Sequence, residues 1–228
     1  MNPYVNIHTH YNNHIGDNEF VELQNIDVDN IVNVDVSHFY SIGIHPWNLK
    51  SQNPKISETQ KLGDLESQCL GDLNIKAIGE CGLDRVCDVD FEIQKEVFLK
   101  QIELSEQIAK PLIIHAVRTY PDIISIRKET KAKQAWIIHG FQANEQSAEQ
   151  LLRHNGIYLS LGDVLYKNER RASELMKVIP LNRLFLETDV AERDIVEVYE
   201  RAASLSGIEM EKLRNDIFNN FVKIFGQI

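Results

Sequence analysis

Two histidines one residue apart, His8 and His10, close the apolar opening YVNIHTH. On a β-strand, residues i and i+2 point to the same side, so both imidazoles face one place. Other residues able to do chemistry close other apolar runs. They are His45 after YSIGI, Glu80 after KAIG, His115 after PLII, His139 after AWII and Asp189 after LFLET. A lone histidine there is ordinarily a satisfied core or surface residue, and a lone carboxylate ordinarily a salt bridge or a loop cap. Here five of the eight histidines occupy such positions. Imidazole and carboxylate without thiolate suit zinc, manganese, iron or magnesium rather than a soft metal. His14, His38 and His154 lie in polar stretches or at a helix end and take no role.

These residues converge only if the runs that carry them are parallel strands. Eight runs are strand-like: 4–8, 30–36, 40–45, 76–80, 111–115, 135–140, 157–162 and 183–189. Nearly all-apolar runs suit strands buried on both faces, as in a parallel sheet. Helical patterns separate the later ones, over 91–109, 144–154 and 169–179, and the tail from 195 to 225 reads as two helices broken near Gly207. Asn144 is the expected N-cap of the second pattern. Alternating strand and helix predicts an α/β fold with a TIM-type (β/α)8 barrel, whose strands all deliver their C-terminal ends to one mouth. The first third fits this least well. Residues 11–30 carry no helical pattern, and about three residues join runs 30–36 and 40–45, where a parallel crossover needs about a dozen. An antiparallel hairpin or irregular element is expected there, in a barrel degenerate in its N-terminal third.

At 228 residues, with no composition shift, the chain is expected to form a single domain over 1–228. Its first 20 residues lack a basic start and an apolar core segment, and no apolar run approaches a bilayer span, so a cytoplasmic protein with no membrane partner is expected. Cys69, Cys81 and Cys87 form no CxxC pair and fit a reducing compartment. The net charge of -10 argues against a general duplex-coating protein but leaves room for a local cationic site.

The ordered blocks NIHTH, GIHPW, AIGECGLD, LIIHAVR, IIHGF and FLETD, spread over residues 6–189, resemble the TatD family of metal-dependent deoxyribonucleases within the amidohydrolase superfamily. The resemblance implies a (β/α)8-type barrel with two divalent metal ions (Mg, Mn or Zn) at the C-terminal mouth. It implies that His8, His10 and Asp189 hold the first ion, that His115 and His139 hold the second, and that Glu80 bridges them. His45 and Arg118 match positions near the substrate phosphate, and Asp84 and Glu187 match positions that support the ligands. Asp189, with Glu80, is the candidate catalytic group, as base and proton shuttle. The implied reaction is hydrolysis of phosphodiester bonds at ends of single-stranded DNA or RNA, or of a small phosphoester.

The sequence also departs from the family. Asn6 stands where an acid is usual, Cys81 replaces an apolar residue beside Glu80, and VAERD follows Asp189 in place of a Ser-Pro turn. The acidic balance is compatible with a phosphate substrate, because two divalent ions outweigh Glu80 and Asp189 by about two charges. Arg85 and Arg118 could add to that field, as could Lys167, Arg170 and Arg171, although those three read first as a solvated helix start. Rival readings are an amidohydrolase acting on a lactone, cyclic amide or aminoacyl ester, a phosphoesterase of the polymerase-and-histidinol-phosphatase type, and a metal-binding member without turnover.

Overall fold

A computed structural model describes residues 1–11, 14, 17–28, 38–49, 58–70 and 74–227. The strands are β1 (Tyr4–Thr9), β2 (Phe20–Asp27), β3 (Phe39–Gly43), β4 (Ile75–Asp84), β5 (Leu112–Val117), β6 (Trp136–Ile138), β7 (Ile157–Leu161) and β8 (Leu184–Leu186). The helices are α1 (Glu58–Leu70), α2 (Phe91–Ile108), α3 (Tyr120–Thr130), α4 (Glu145–Leu152), α5 (Val164–Lys167), α6 (Glu169–Val178), α7 (Ile195–Ser206) and α8 (Met210–Phe225). Strand order in the sheet is chain order. The fold is of the TIM-type (β/α)8 class. The chain divides into two compact units, Met1–Gln24 with Ile137–Ile228, and Asn25–Trp136.

In the first unit β1 is buried along its whole length. It pairs in parallel with β2, with Tyr4 opposite Phe20, Val5 opposite Val21 and Asn6 opposite Glu22. Beyond β8, Asp189 continues the pairing onto β1: its N–H donates to the His8 carbonyl at 3.1 Å, and its carbonyl accepts from the His10 N–H at 3.0 Å. Buried backbone groups need partners, and here a side chain supplies them. The Tyr199 hydroxyl of α7 accepts from the Val5 N–H at 3.2 Å and donates to the Val5 carbonyl at 3.1 Å. Asn220 of α8 likewise donates to the carbonyls of Leu181 and Leu184. Asn144 caps α4 as expected, accepting from the Ser147 N–H, and Gly207, at φ 69°, ends α7 before α8 begins.

In the second unit β4 lies between β3 and β5, parallel to both. Two glycines allow the closeness of β4 and β5. A Cβ on Gly79 would stand 2.6 Å from the Ile113 carbonyl oxygen, and one on Gly82 would overlap the His115 carbonyl oxygen. Both also have positive φ, 152° and 138°, which side chains other than hydrogen disfavour. Asp90 caps α2 by accepting from the N–H groups of Glu92 and Ile93. Two buried glutamines of α2 then hold strand ends. Gln101 donates to the Ile44 carbonyl at 3.1 Å and accepts from its N–H at 2.8 Å. Gln94 accepts from the Asp84 N–H at 2.8 Å and donates to the Asp84 carbonyl at 3.0 Å.

Of the two runs expected to form an antiparallel or irregular element in the first third, the second is β3. β3 is a parallel neighbour of β4, with Tyr40 opposite Ile75 and Ile42 opposite Ile78. The run 30–36 lies outside the described residues. A strand that no apolar run announced lies at Phe20–Asp27, parallel to β1. Its sequence, FVELQNID, carries four polar residues and so lacks the all-apolar signature of a doubly buried strand. The later patterns are matched, although β6 and β8 are shorter than the apolar runs that announced them, and α3 and α5 are helices that no pattern announced.

Candidate metal centre

Four candidate ligands come together in the first unit. His8 ends deep in β1 and is fully buried, whereas the His10 side chain is about one-third exposed. His8 Nε2 lies 3.4 Å and His10 Nε2 3.6 Å from Asp189 Oδ1. His139, just past β6, packs its ring 4.3 Å from that of His8. Ligand atoms of His8, His139 and Asp189 lie within 4.8 Å of one another, the geometry of a potential cation site. Asp189 is held in the left-handed region at φ 54°, a strained setting for a residue with a Cβ and one that tends to occur at functional sites.

Behind these ligands runs a buried polar network. Asn6 Oδ1 accepts from the Thr188 N–H at 3.1 Å, and Asn6 Nδ2 donates to Thr188 Oγ1 at 2.9 Å and to Glu22 Oε1 at 3.3 Å. Thr188 Oγ1 in turn donates to Thr9 Oγ1 at 3.0 Å. Asn6 therefore ties the strand bearing His8 and His10 to the residue before Asp189. Glu187, also buried, accepts from the Gly140 N–H at 2.5 Å and faces His139 Nδ1 at 3.7 Å.

Ligand atoms of His45, Glu80 and His115 also lie within 4.8 Å of one another, in the second unit. The backbone N–H of Trp47 donates to His45 Nδ1 at 3.1 Å. A neutral imidazole that accepts at one nitrogen carries its proton on the other. His45 Nε2–H thus points at Glu80 Oε1, 3.2 Å away, so His45 is a donor to oxygen rather than a metal ligand through that nitrogen. His115 lies between two carboxylates, with Nδ1 3.0 Å from Glu80 Oε1 and Nε2 3.0 Å from Asp84 Oδ2. Asp84 also accepts from Trp47 Nε1–H at 2.7 Å and from the Val86 N–H at 2.7 Å. Burial raises its pKa, but the hydrogen bonds from His115, Trp47 and Val86 outweigh that and hold it below the usual value. With its Nε2–H donated to Asp84, His115 would offer Nδ1, 3.0 Å from Glu80 Oε1, as a donor atom that a cation could share with that carboxylate. A carboxylate that orients a histidine in this way is the usual support of a metal ligand.

Cys81 is not part of this set. Its Sγ points to the Ile113 carbonyl, and burial, with the Glu80 charge beside it, pushes the thiol well up. The donors are thus nitrogen and oxygen only, which fits a divalent ion of the Mg, Mn or Zn kind. Arg118 is exposed at φ 56° and makes no hydrogen bond or ion pair among the described residues. The other candidate cations are engaged. Arg85 pairs with Asp122, Lys167 with Asp163 and Arg170 with Glu174, and Arg171 donates to the Gln142 carbonyl. Sequence reasoning missed Gln94, Gln101, Glu22, Thr188 and Trp47. Two glutamines seven residues apart on the buried face of a helix were a signal for the first pair.

A family model described as TatD related DNase matches residues 27–226. An uncharacterized metal-dependent hydrolase of Buchnera aphidicola is 33% identical over 154 residues, covering 66% of this chain and 58% of that protein. The chain spans about half the length of the curated relatives it matches. The crystal structure of YJJV, a TatD homologue from Escherichia coli K12, superimposes with a TM-score of 0.81 at 18% identity, covering 99% of this chain and 98% of that one. A mutant PTE-like lactonase of Deinococcus radiodurans superimposes with a TM-score of 0.64 at 13% identity, covering 91% and 81%. At these identities both structures speak to the fold alone.

Proposed function

The chain belongs to the TatD-related DNase family, and from that premise we propose that it is a divalent-metal-dependent hydrolase of phosphodiester bonds, acting at ends of single-stranded nucleic acid. The observation that carries this reading is the convergence of His8, His139 and Asp189 at the ends of β1, β6 and β8. His10 would join that set in holding one ion, and His115 with Glu80 would hold another. The sharing of an ion between His115 and His139, and the bridging by Glu80, rest on the family resemblance and belong to the same proposal, as does the working of both units as one hydrolase domain.

A divalent cation there would acidify a water and neutralise charge on phosphoryl oxygens. Asp189, whose side chain is partly exposed, accepts the proton of the attacking water. His45 Nε2–H and the Arg118 guanidinium are donors for the phosphate oxygens, of the kind that stabilise charge as it develops. Asp84 and Glu187 hold His115 and His139 in orientation. Among the described residues no helix is long and apolar enough to cross a membrane.

The test is cleavage of end-labelled single-stranded DNA by the metal-reconstituted protein, with a chelator control and a parallel panel of phosphomonoester and lactone substrates. Chelator-sensitive release of nucleotides from linear strands, with circular strands spared, is expected. Lactone hydrolysis without phosphodiester cleavage would overturn the reading, and so would equal rates on linear and circular strands.

A further inference from the structure

Trp47 is 59% exposed, yet it is anchored at three points. Its Nε1–H donates to Asp84 Oδ2, and its backbone N–H donates to His45 Nδ1. Its ring stands edge-on to His45 at 4.9 Å and to His115 at 5.7 Å. Val86, 60% exposed, donates its N–H to the other oxygen of Asp84. One buried carboxylate therefore holds two exposed apolar residues beside the histidines that flank Glu80. Shielding those histidines would use the indole buried, as Trp136 is used in the core of the same unit. An indole kept exposed and held still retains a π-face to offer.

We propose that Trp47 is a stacking platform for an unpaired nucleobase next to the phosphate that binds at His45, Glu80 and His115. This rests on the phosphodiesterase reading and names what its substrate must present. Charge favours this occupant. The chain carries a net charge of -10 and its basic residues near Asp163 and Asp122 are paired, so diffuse attraction to a phosphate backbone contributes little. Stacking supplies affinity without charge and tolerates any base, because every base has a π-face. It requires a base free of its duplex neighbours, hence a single strand.

The experiment compares binding of two probes to metal-loaded protein. One is a ten-nucleotide phosphorothioate DNA strand, which resists cleavage, and the other is an abasic sugar–phosphate oligomer of equal length. Trp136 is buried, so quenching of tryptophan fluorescence by the DNA reports Trp47. The DNA is expected to quench and to bind roughly tenfold to hundredfold more tightly than the abasic probe. Trp47→Ala should bring that ratio to about one, whereas Trp47→Phe should keep most of it, with metal content unchanged in both. A ratio near one in the unaltered protein, or a ratio unaffected by Trp47→Ala, would overturn the proposal. Cleavage of natural DNA with no effect of Trp47→Ala leaves the nuclease reading standing and the platform refuted. Quenching and discrimination without cleavage does the reverse.

Discussion

The backbone N–H of Trp47 donates to Nδ1 of His45 at 3.1 Å, and this bond decides which nitrogen carries the imidazole proton. The proton then lies on Nε2, toward Glu80. His45 thus acts as a hydrogen-bond donor to Glu80 Oε1. His45→Ala is therefore expected to leave metal content intact while phosphodiester turnover falls about a hundredfold or more, the usual worth of a donor to developing charge. Elemental analysis beside rate measurement checks this. A loss of bound metal in the variant would mean that His45 is a ligand.

Glu187 faces His139 Nδ1 and accepts from the Gly140 N–H. Glu187→Gln keeps an oxygen for Gly140 but removes the negative charge beside the histidine. Metal affinity should fall about tenfold to hundredfold, the common cost of losing a partner behind a ligand. Metal titration followed by calorimetry would measure it. Unchanged affinity would reduce Glu187 to a loop brace.

Asn6 and Glu22 make one complementary pair, an amide donor on a buried carboxylate. Asn6→Asp would replace that donor with a second carboxylate, and the folded state would then favour keeping one of the two protonated. A carboxyl pKa raised by folding adds protons to the native state, so stability falls as pH rises through the usual carboxylate range. A deficit of about 1–3 kcal/mol is expected at pH 7, shrinking toward pH 4. Asn6→Asp with Glu22→Gln should recover most of it. Urea midpoints across that pH range decide the matter, and a pH-independent deficit would count against the pairing.

Two of the three thiols are silenced by burial. It pushes Cys69 up to about 11 and Cys81 well above its ordinary value. Thiolate is the reactive form, so both stay protonated and unreactive at pH 8. Cys87 is only half-buried. A thiol reagent should label one cysteine per native chain at that pH, with Cys87 the site found by peptide mapping, and three in urea. Fast labelling of Cys81 in the native protein would contradict the packing around Glu80.

Much of each candidate cluster could be read from the sequence because strand ends are local features. The apolar runs ending in His8, His45, Glu80, His115, His139 and Asp189 are visible one at a time, and parallel-strand topology says that such ends share a side. The bounds of α2, α4, α6, α7 and α8 were legible for the same reason, since caps and periodicity are written within one turn, whereas α3 and α5 were not read. β2 was not legible, because half of FVELQNID is polar and the partners of the buried Glu22, Asn6 and His14, lie outside that stretch. Only the tertiary structure could show that Asn6 binds Thr188, 182 residues away. The same holds for the tautomer of His45, because a proton's position depends on the partner that folding brings to the other nitrogen. Exposure is likewise a property of the packed molecule. Trp47 and Trp136 are the same residue in the sequence, but one became a core side chain and the other an open ring beside His45 and His115.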